Sequence, residues 1–425
     1  MAAAKKLADA RIAVELFDQR PHWGGHTTSI ERDGFVFDEG PHVSFTKDPN
    51  VTALFERGAG QWIEFQARIT NAFRGRWVRH PAQCHLHGLD PDLVANCVTD
   101  FVRAQMDKPA VRTYADWCVA MFGRTFAETF PFAYTRKYWT VEAAELSLDW
   151  VGNRMYPPKV EEVVRGALLP GQEGNFHYLS TFRYPKTGGF QSFMRDLVVT
   201  DVLRLGAAVV GIDLRAHTVT VAGGGERPFS QLVSTMPLPD LVRAVVPSQV
   251  PDAVREAASA LLCSSVVLVD VAVNRRDLFD HHWFYVYDEQ KLISRGYFPH
   301  MLSPDNAPAG CGAIQLEVYY SRHRPLPLRP AEVADRVVDE LVDLEILRSR
   351  DEVRWTRSRD VKYANVVFTH TRAAAVDTIK TWLAAEGIHI AGRYGEWAYA
   401  WTDDAVRSGW KAADDVLARM PAVSA

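Results

Sequence analysis

Asp18 ends the apolar stretch Ile12-Ala13-Val14-Glu15-Leu16-Phe17, and the glycine-centred loop Gly24-Gly25-His26-Thr27 follows it. A carboxylate at a strand end can accept both hydroxyls of an adenosine ribose, so the pair suits a dinucleotide. Aspartate there is equally common as a turn former, and the feature alone divides evenly between the two. A second loop, Glu39-Gly40-Pro41-His42, combines backbone amides able to approach a flat ring system with a histidine able to polarise it. Two turns and a surface histidine are the commoner meaning when such a motif stands alone. The run Gly392-Arg393-Tyr394-Gly395-Glu396-Trp397-Ala398-Tyr399 is denser. Arg393 could bind a diphosphate bidentately, and Tyr399 could donate its hydroxyl to it. Packing accounts for the aromatics but not for an arginine flanked by glycines. Asp403 and Asp404 open the closing helix, where aspartates are more often caps than acids.

Other clusters carry less. Cys84-His85-Leu86-His87 has metal-ligand spacing, but no further ligand is spaced to complete a site. His281 and His282 flank Trp283 in an apparent strand and read as structural. The five cysteines are odd in number and lack C-x-x-C spacing, which argues against a disulfide framework and for a reducing compartment. Lys plus Arg total 48 against 52 Asp plus Glu, so the net charge of −4 lacks the basic excess of a nucleic-acid binder. No apolar run approaches the ~20 residues of a membrane span, and no signal peptide is readable. A cytoplasmic protein is the expectation.

The elements that must position these residues follow from periodicity. Residues 2–9 read as a helix feeding a strand over 11–17, and Asp33-Gly34 reads as a hairpin turn. Residues 50–65 and 90–180 read as largely helical, interrupted at Pro157-Pro158. Val209 to Val221 reads as two strands around a turn, 232–237 as a buried strand, and 263–320 as strand-rich. A helix is expected over 331–345, then a strand over 388–391 and a helix from about 403 to 419. Strand–loop–helix units at both ends, with insertions between them, imply one interleaved fold.

In this order, over nearly the whole chain, these stretches resemble the flavin-binding amine oxidase and protoporphyrinogen oxidase superfamily. They are most similar to its UDP-galactopyranose mutases of the eukaryotic type. Asp18 with Gly24, Gly25, His26 and Thr27 resembles the ribose acid and double-glycine loop. Phe37 to Phe45 resembles the next flavin loop, with Gly40 and the ring-facing His42. Trp77 to Gln83 is similar to the mutases' Pro-Tyr-Pro-x-Gln element, and Lys137-Tyr138-Trp139 with Leu146 to Arg154 to their helical substrate region. Phe182 to Phe190 resembles the returning strand and glycine turn, and Val209 the valine whose backbone holds adenine. Ser294-Arg295 with Ser303-Pro304-x-Asn306 resembles the segment supplying a diphosphate arginine. Gly392 to Tyr399 supplies another, with its tyrosine.

The resemblance implies an α/β protein with a Rossmann-like FAD-binding domain over 1–65, 183–245 and 384–425. It implies a helical cap over 90–182 and a mainly antiparallel-sheet substrate domain over 66–89 and 246–383. FAD would be held by Asp18, Gly24, Gly25, His26, Thr27, Gly40, Val209, Gly392, Asp403 and Asp404. His42, Arg295, Arg393 and Tyr399 would serve the reaction. The implied chemistry uses reduced flavin as a nucleophile to interconvert pyranose and furanose nucleotide sugars, with an external flavin reductant and a place in cell-surface polysaccharide synthesis. A substrate-oxidising FAD oxidase or dehydrogenase is the alternative, and a flavin-free scaffold the third. Three departures stand out. The family's opening strand and G-x-G-x-x-G are absent, so the natural start is expected upstream. The mutases' Asn-Gln-Asp is Thr402-Asp403-Asp404, and their Tyr-Pro-x-Pro is Tyr363-Ala364-Asn365-Val366.

Overall fold

A computed structural model describes residues 1–108, 110–152, 155–171 and 181–420. Asn153 and Arg154, part of the resemblance above, lie outside the described residues. Among the described residues the largest sheet has seven strands: β1 (Ile69–Phe73), β2 (Arg76–Arg79), β3 (Cys263–Val273), β4 (Trp283–Val286), β5 (Arg295–Tyr297), β6 (Gly312–Tyr320) and β7 (Val353–Val366). Their order is β7-β3-β6-β5-β4-β1-β2, antiparallel except between β4 and β1.

Alternation gives this sheet two different faces. Val267, Val269, Val271 and Val273 of β3, with Ile314, Leu316 and Val318 of β6, pack on the helix Pro330–Asp343 through Val333, Val337, Val338 and Leu341. Each such side chain contributes about 1.5–3 kcal/mol on burial. The other face carries Asp270, Gln315, Glu317, Arg295 and Tyr285. A one-residue slip of β6 would exchange its polar residues with its apolar ones, so burial of the valines also places the charges.

Near the other end of the fold, the helix Ala2–Asp9 packs on the closing helix Thr402–Arg419. The approach is close: a Cβ on Gly409 would stand 2.9 Å from that of Ala2. Two short parallel pairs lie in this region, Leu16–Phe17 with Leu203–Arg204 and Leu232–Ser234 with Ile388–Ile390. Val209–Asp213 and Thr218–Val221 form the expected antiparallel pair.

Two expectations need correction. The strand over 11–17 is a ladder only at Leu16–Phe17, because its partner offers only Leu203–Arg204. The segment 50–65 is not all helix. Pro49–Ala59 is helical, with Asp48 capping Asn50 and Val51, and Gly60 at φ +71° ends it. Trp62–Gln66 then pairs with Thr181–Pro185, a partner local periodicity does not reveal. Gly392–Gly395 forms one short helical turn.

The helices Pro91–Asp107, Tyr114–Phe122, Ala133–Tyr138 and Val160–Leu168 agree with the helical reading of that region. All five cysteines are free. Among the described residues no cluster of side chains could hold a metal ion, and no helix is long and apolar enough to cross a membrane.

Candidate functional site

A cavity of ≈ 1780 Å³ is bounded by both glycine loops, the Gly392 turn, the polar face of the large sheet and aromatic side chains of the helical region. Asp18, Gly24, Gly25, His26, Thr27, Gly40, His42 and Val209 all line it, as do Arg295, Gly392, Arg393 and Tyr399. Asp403 and Asp404 are not among its lining residues. Asp403 accepts from Thr46 Oγ1 at 3.0 Å and Arg407 Nη1 at 3.2 Å. Asp404 caps Trp401 N at 2.9 Å and pairs with Arg407 Nη2 at 2.5 Å. The structure thus makes Asp404 a helix cap and pairs both aspartates with Arg407.

Gly24 and Gly25 have φ of +108° and +57°, a left-handed pair that only glycine adopts without strain. The turn is closed by Thr27 Oγ1 donating to the Gly24 carbonyl at 2.7 Å. Asp18 Oδ1 accepts from Arg20 N at 2.8 Å, which holds the carboxylate at the strand end.

Glu39 joins these loops, a role that its motif did not disclose. Its carboxylate lies 2.5 Å from His26 Nδ1 and 2.9 Å from Arg20 Nη1. Burial alone would raise its pKa, but the His26 hydrogen bond and the charges of His26 and Arg20 bring it down to about 2. His26 also meets the Tyr394 ring edge-on at 5.1 Å.

His42 is a neutral imidazole near pH 7. Burial pushes its pKa down to about 4, with the charges of His26 and Arg393 adding to the effect against the Gly40 carbonyl and Glu39. Nδ1 lies 2.9 Å from that carbonyl and donates to it. The neutral ring therefore keeps a lone pair at Nε2.

The two arginines differ. Arg295 faces Glu317 across β5 and β6, and its guanidinium is paired there, Nη2 to Oε1 at 2.8 Å. Among the described residues Arg393 donates only to neutral acceptors: Asn365 Oδ1 at 3.0 Å, Ala364 O at 3.3 Å and Ala400 O at 3.4 Å. Its Nε is buried without a partner, and it lies over the Tyr399 ring at 5.1 Å. Tyr134, Tyr138, Trp139, Trp150, Tyr285 and Tyr319 complete an aromatic wall. Of these Tyr138, Trp139 and Trp150 fell in stretches that carried a sequence signal. The others come from a helix and strands whose facing sides are set by tertiary contact.

Gly24, Gly25, Gly40 and Gly392 all have positive φ on the lining and let backbone approach a flat ligand, while Asp18 offers a carboxylate. Those features fit a flavin dinucleotide. Fold and walls together define a flavoenzyme. The chain belongs to the flavin containing amine oxidoreductase family, whose sequence profile matches residues 1–417. It is an FAD-dependent enzyme of the oxidoreductase type.

Among solved structures, a reduced UDP-galactopyranose mutase is similar at 22% identity and a TM-score of 0.90, over 99% of this chain and 93% of that one. A cyclohexylamine oxidase from Brevibacterium oxydans IH-35A is similar at 15% identity and a TM-score of 0.68, over 98% and 97%. A putrescine oxidase bound to putrescine is similar at 15% identity and a TM-score of 0.65, over 98% and 96%. At these identities the likeness is one of fold.

Proposed function

We propose that this enzyme interconverts the pyranose and furanose forms of a nucleotide sugar, as a UDP-galactopyranose mutase does. Arg393 carries the proposal. It is a half-buried cation, its Nε fully buried, with no carboxylate partner among the described residues. A buried charge is costly until a counter-charge arrives, so an anionic substrate completes the site. A nucleotide diphosphate supplies that anion, and Tyr399 beside Arg393 supplies a hydroxyl for it.

FAD, when bound and reduced by an external donor, supplies an electron-rich nitrogen able to act as a nucleophile. Arg393 and Tyr399 hold the diphosphate while its bond to the sugar breaks and while it re-forms. Arg295, already neutralised by Glu317, orients rather than attracts. The aromatic wall keeps water from the opened sugar. His42 Nε2 accepts a hydrogen bond at the ring face of the site. Substrate and product are isomers, so no net oxidation occurs.

The tyrosine-rich wall also suits a second reading, oxidation of an amine or another substrate with an apolar flank. Chemically reduced holoenzyme is incubated without oxygen with UDP-galactopyranose or its furanose isomer, and nucleotide sugars are separated by chromatography. Isomerisation without consumption of reductant is expected. No isomerisation, together with hydrogen peroxide formation from an amine in air, overturns the mutase proposal in favour of the oxidase.

A further inference from the structure

The large sheet reaches across to the loop that carries Glu39. Gln315 on β6 is fully buried. Its Nε2 donates to the Asp38 carbonyl at 2.8 Å and its Oε1 accepts from Gly40 N at 3.1 Å. One carboxamide therefore grips the backbone on both sides of Glu39. Its orientation is not free. Nε2 also donates at 2.6 Å to Oδ1 of Asp270, the cross-strand partner of Gln315.

Asp270 is itself held by Arg357 at 2.7 Å and Arg359 at 3.2 Å, and so presents only acceptors. A flipped amide would set its oxygen against that carboxylate. Arg359 Nη2 adds a second bond to the Asp38 carbonyl at 2.9 Å, and its Nη1 stands 4.0 Å from Glu39 Oε2. Asp270, Gln315, Arg357 and Arg359 are not among the residues that line the cavity.

We propose that Gln315, oriented by Asp270, is a positioning residue for Glu39. Through Glu39 it places His26 and Arg20 on the cavity wall, and so sets the charge that bound FAD meets. The inference rests on the cofactor alone and holds whether the flavin serves a mutase or an oxidase.

The test uses FAD affinity, the reduction potential of the bound flavin and thermal melting. Glu39→Gln defines the signature of losing the carboxylate. FAD binding weakens roughly tenfold as the half-buried donors His26 and Arg20 lose their acceptor. The potential rises, because less negative charge near the flavin favours its reduced anion. Two variants then address Gln315. Gln315→Met keeps length and removes all three bonds. The swap Asp270→Asn with Gln315→Glu keeps the net charge and the cross-strand hydrogen bond but removes the donor to Asp38.

The expected result is that a folded Gln315 variant reproduces the Glu39→Gln signature, and that the swap does so while melting near the wild type. Folded Gln315 variants with wild-type affinity and potential that differ only in melting overturn the proposal. So does a Glu39→Gln variant that leaves both flavin readouts unchanged.

Discussion

Arg295 stands directly opposite Glu317 in the β5–β6 ladder, and the two form an ion pair on the cavity wall. Glu317 is almost completely buried, so the pair is shielded from solvent screening on the carboxylate side. Arg393 lines the same cavity, and among the described residues its hydrogen-bond acceptors are carbonyl and amide oxygens alone. Two arginines that look alike in the chain are thus electrostatically unlike. One brings its counter-charge with it, and the other leaves that place for a ligand.

Arg393→Ala is expected to weaken UDP binding by about 2 kcal/mol, roughly 30-fold, the scale of a charge-assisted hydrogen bond lost from a buried site. Melting temperature should hold or rise, because an unpaired, partly buried charge is removed. Calorimetric titration with UDP and a thermal melt check both. Unchanged affinity would remove Arg393 from the substrate site.

Glu317→Gln leaves Arg295 without its carboxylate and is expected to cost about 3 kcal/mol of stability. Adding Arg295→Met should recover much of that loss. Denaturant unfolding of the two single variants and the double variant measures the coupling, and additive losses would mean that the pair is not a stabilising unit.

Asp38 and His42 give opposite pH dependences. Burial raises Asp38 from 3.8 to about 6, against the hydrogen bonds of Ser29, Phe190 and Tyr184. Its contribution is full below pH 3.8 and is lost as pH rises through about 6. His42 falls from 6.5 to about 4, so its contribution is present above pH 6.5 and lost as pH falls through about 4. Melting curves from pH 4 to 7 should therefore show wild type losing ground to Asp38→Asn as pH rises, and gaining ground on His42→Gln. Parallel curves would refute both shifts.

Asp18→Ala is expected to weaken FAD binding by about 2 kcal/mol, the scale of a hydrogen bond to a charged group. The quench of flavin fluorescence on titrating apoprotein reports it. Wild-type affinity would show that the ribose is held elsewhere.

The loops Gly24–Thr27 and Glu39–His42 and the turn from Gly392 were legible along the chain, as were the helices Ala2–Asp9 and Pro330–Asp343. Turn chemistry and a 3.6-residue apolar period are properties of neighbouring residues, so they survive without a fold. The aromatic residue types of the cavity wall were equally visible, but not which of them would share one surface.

Residues distant in sequence decided the rest. Trp62–Gln66 is extended because Thr181–Pro185 lies beside it. Glu317 neutralises Arg295 because the register of β5 on β6 makes them opposite. Gln315 grips the Asp38 carbonyl from 277 positions away. A sequence determines which side chains are able to pair, since that is chemistry each residue carries with it. Which ones do pair depends on strand register and burial, and those arise only when the distant segments pack.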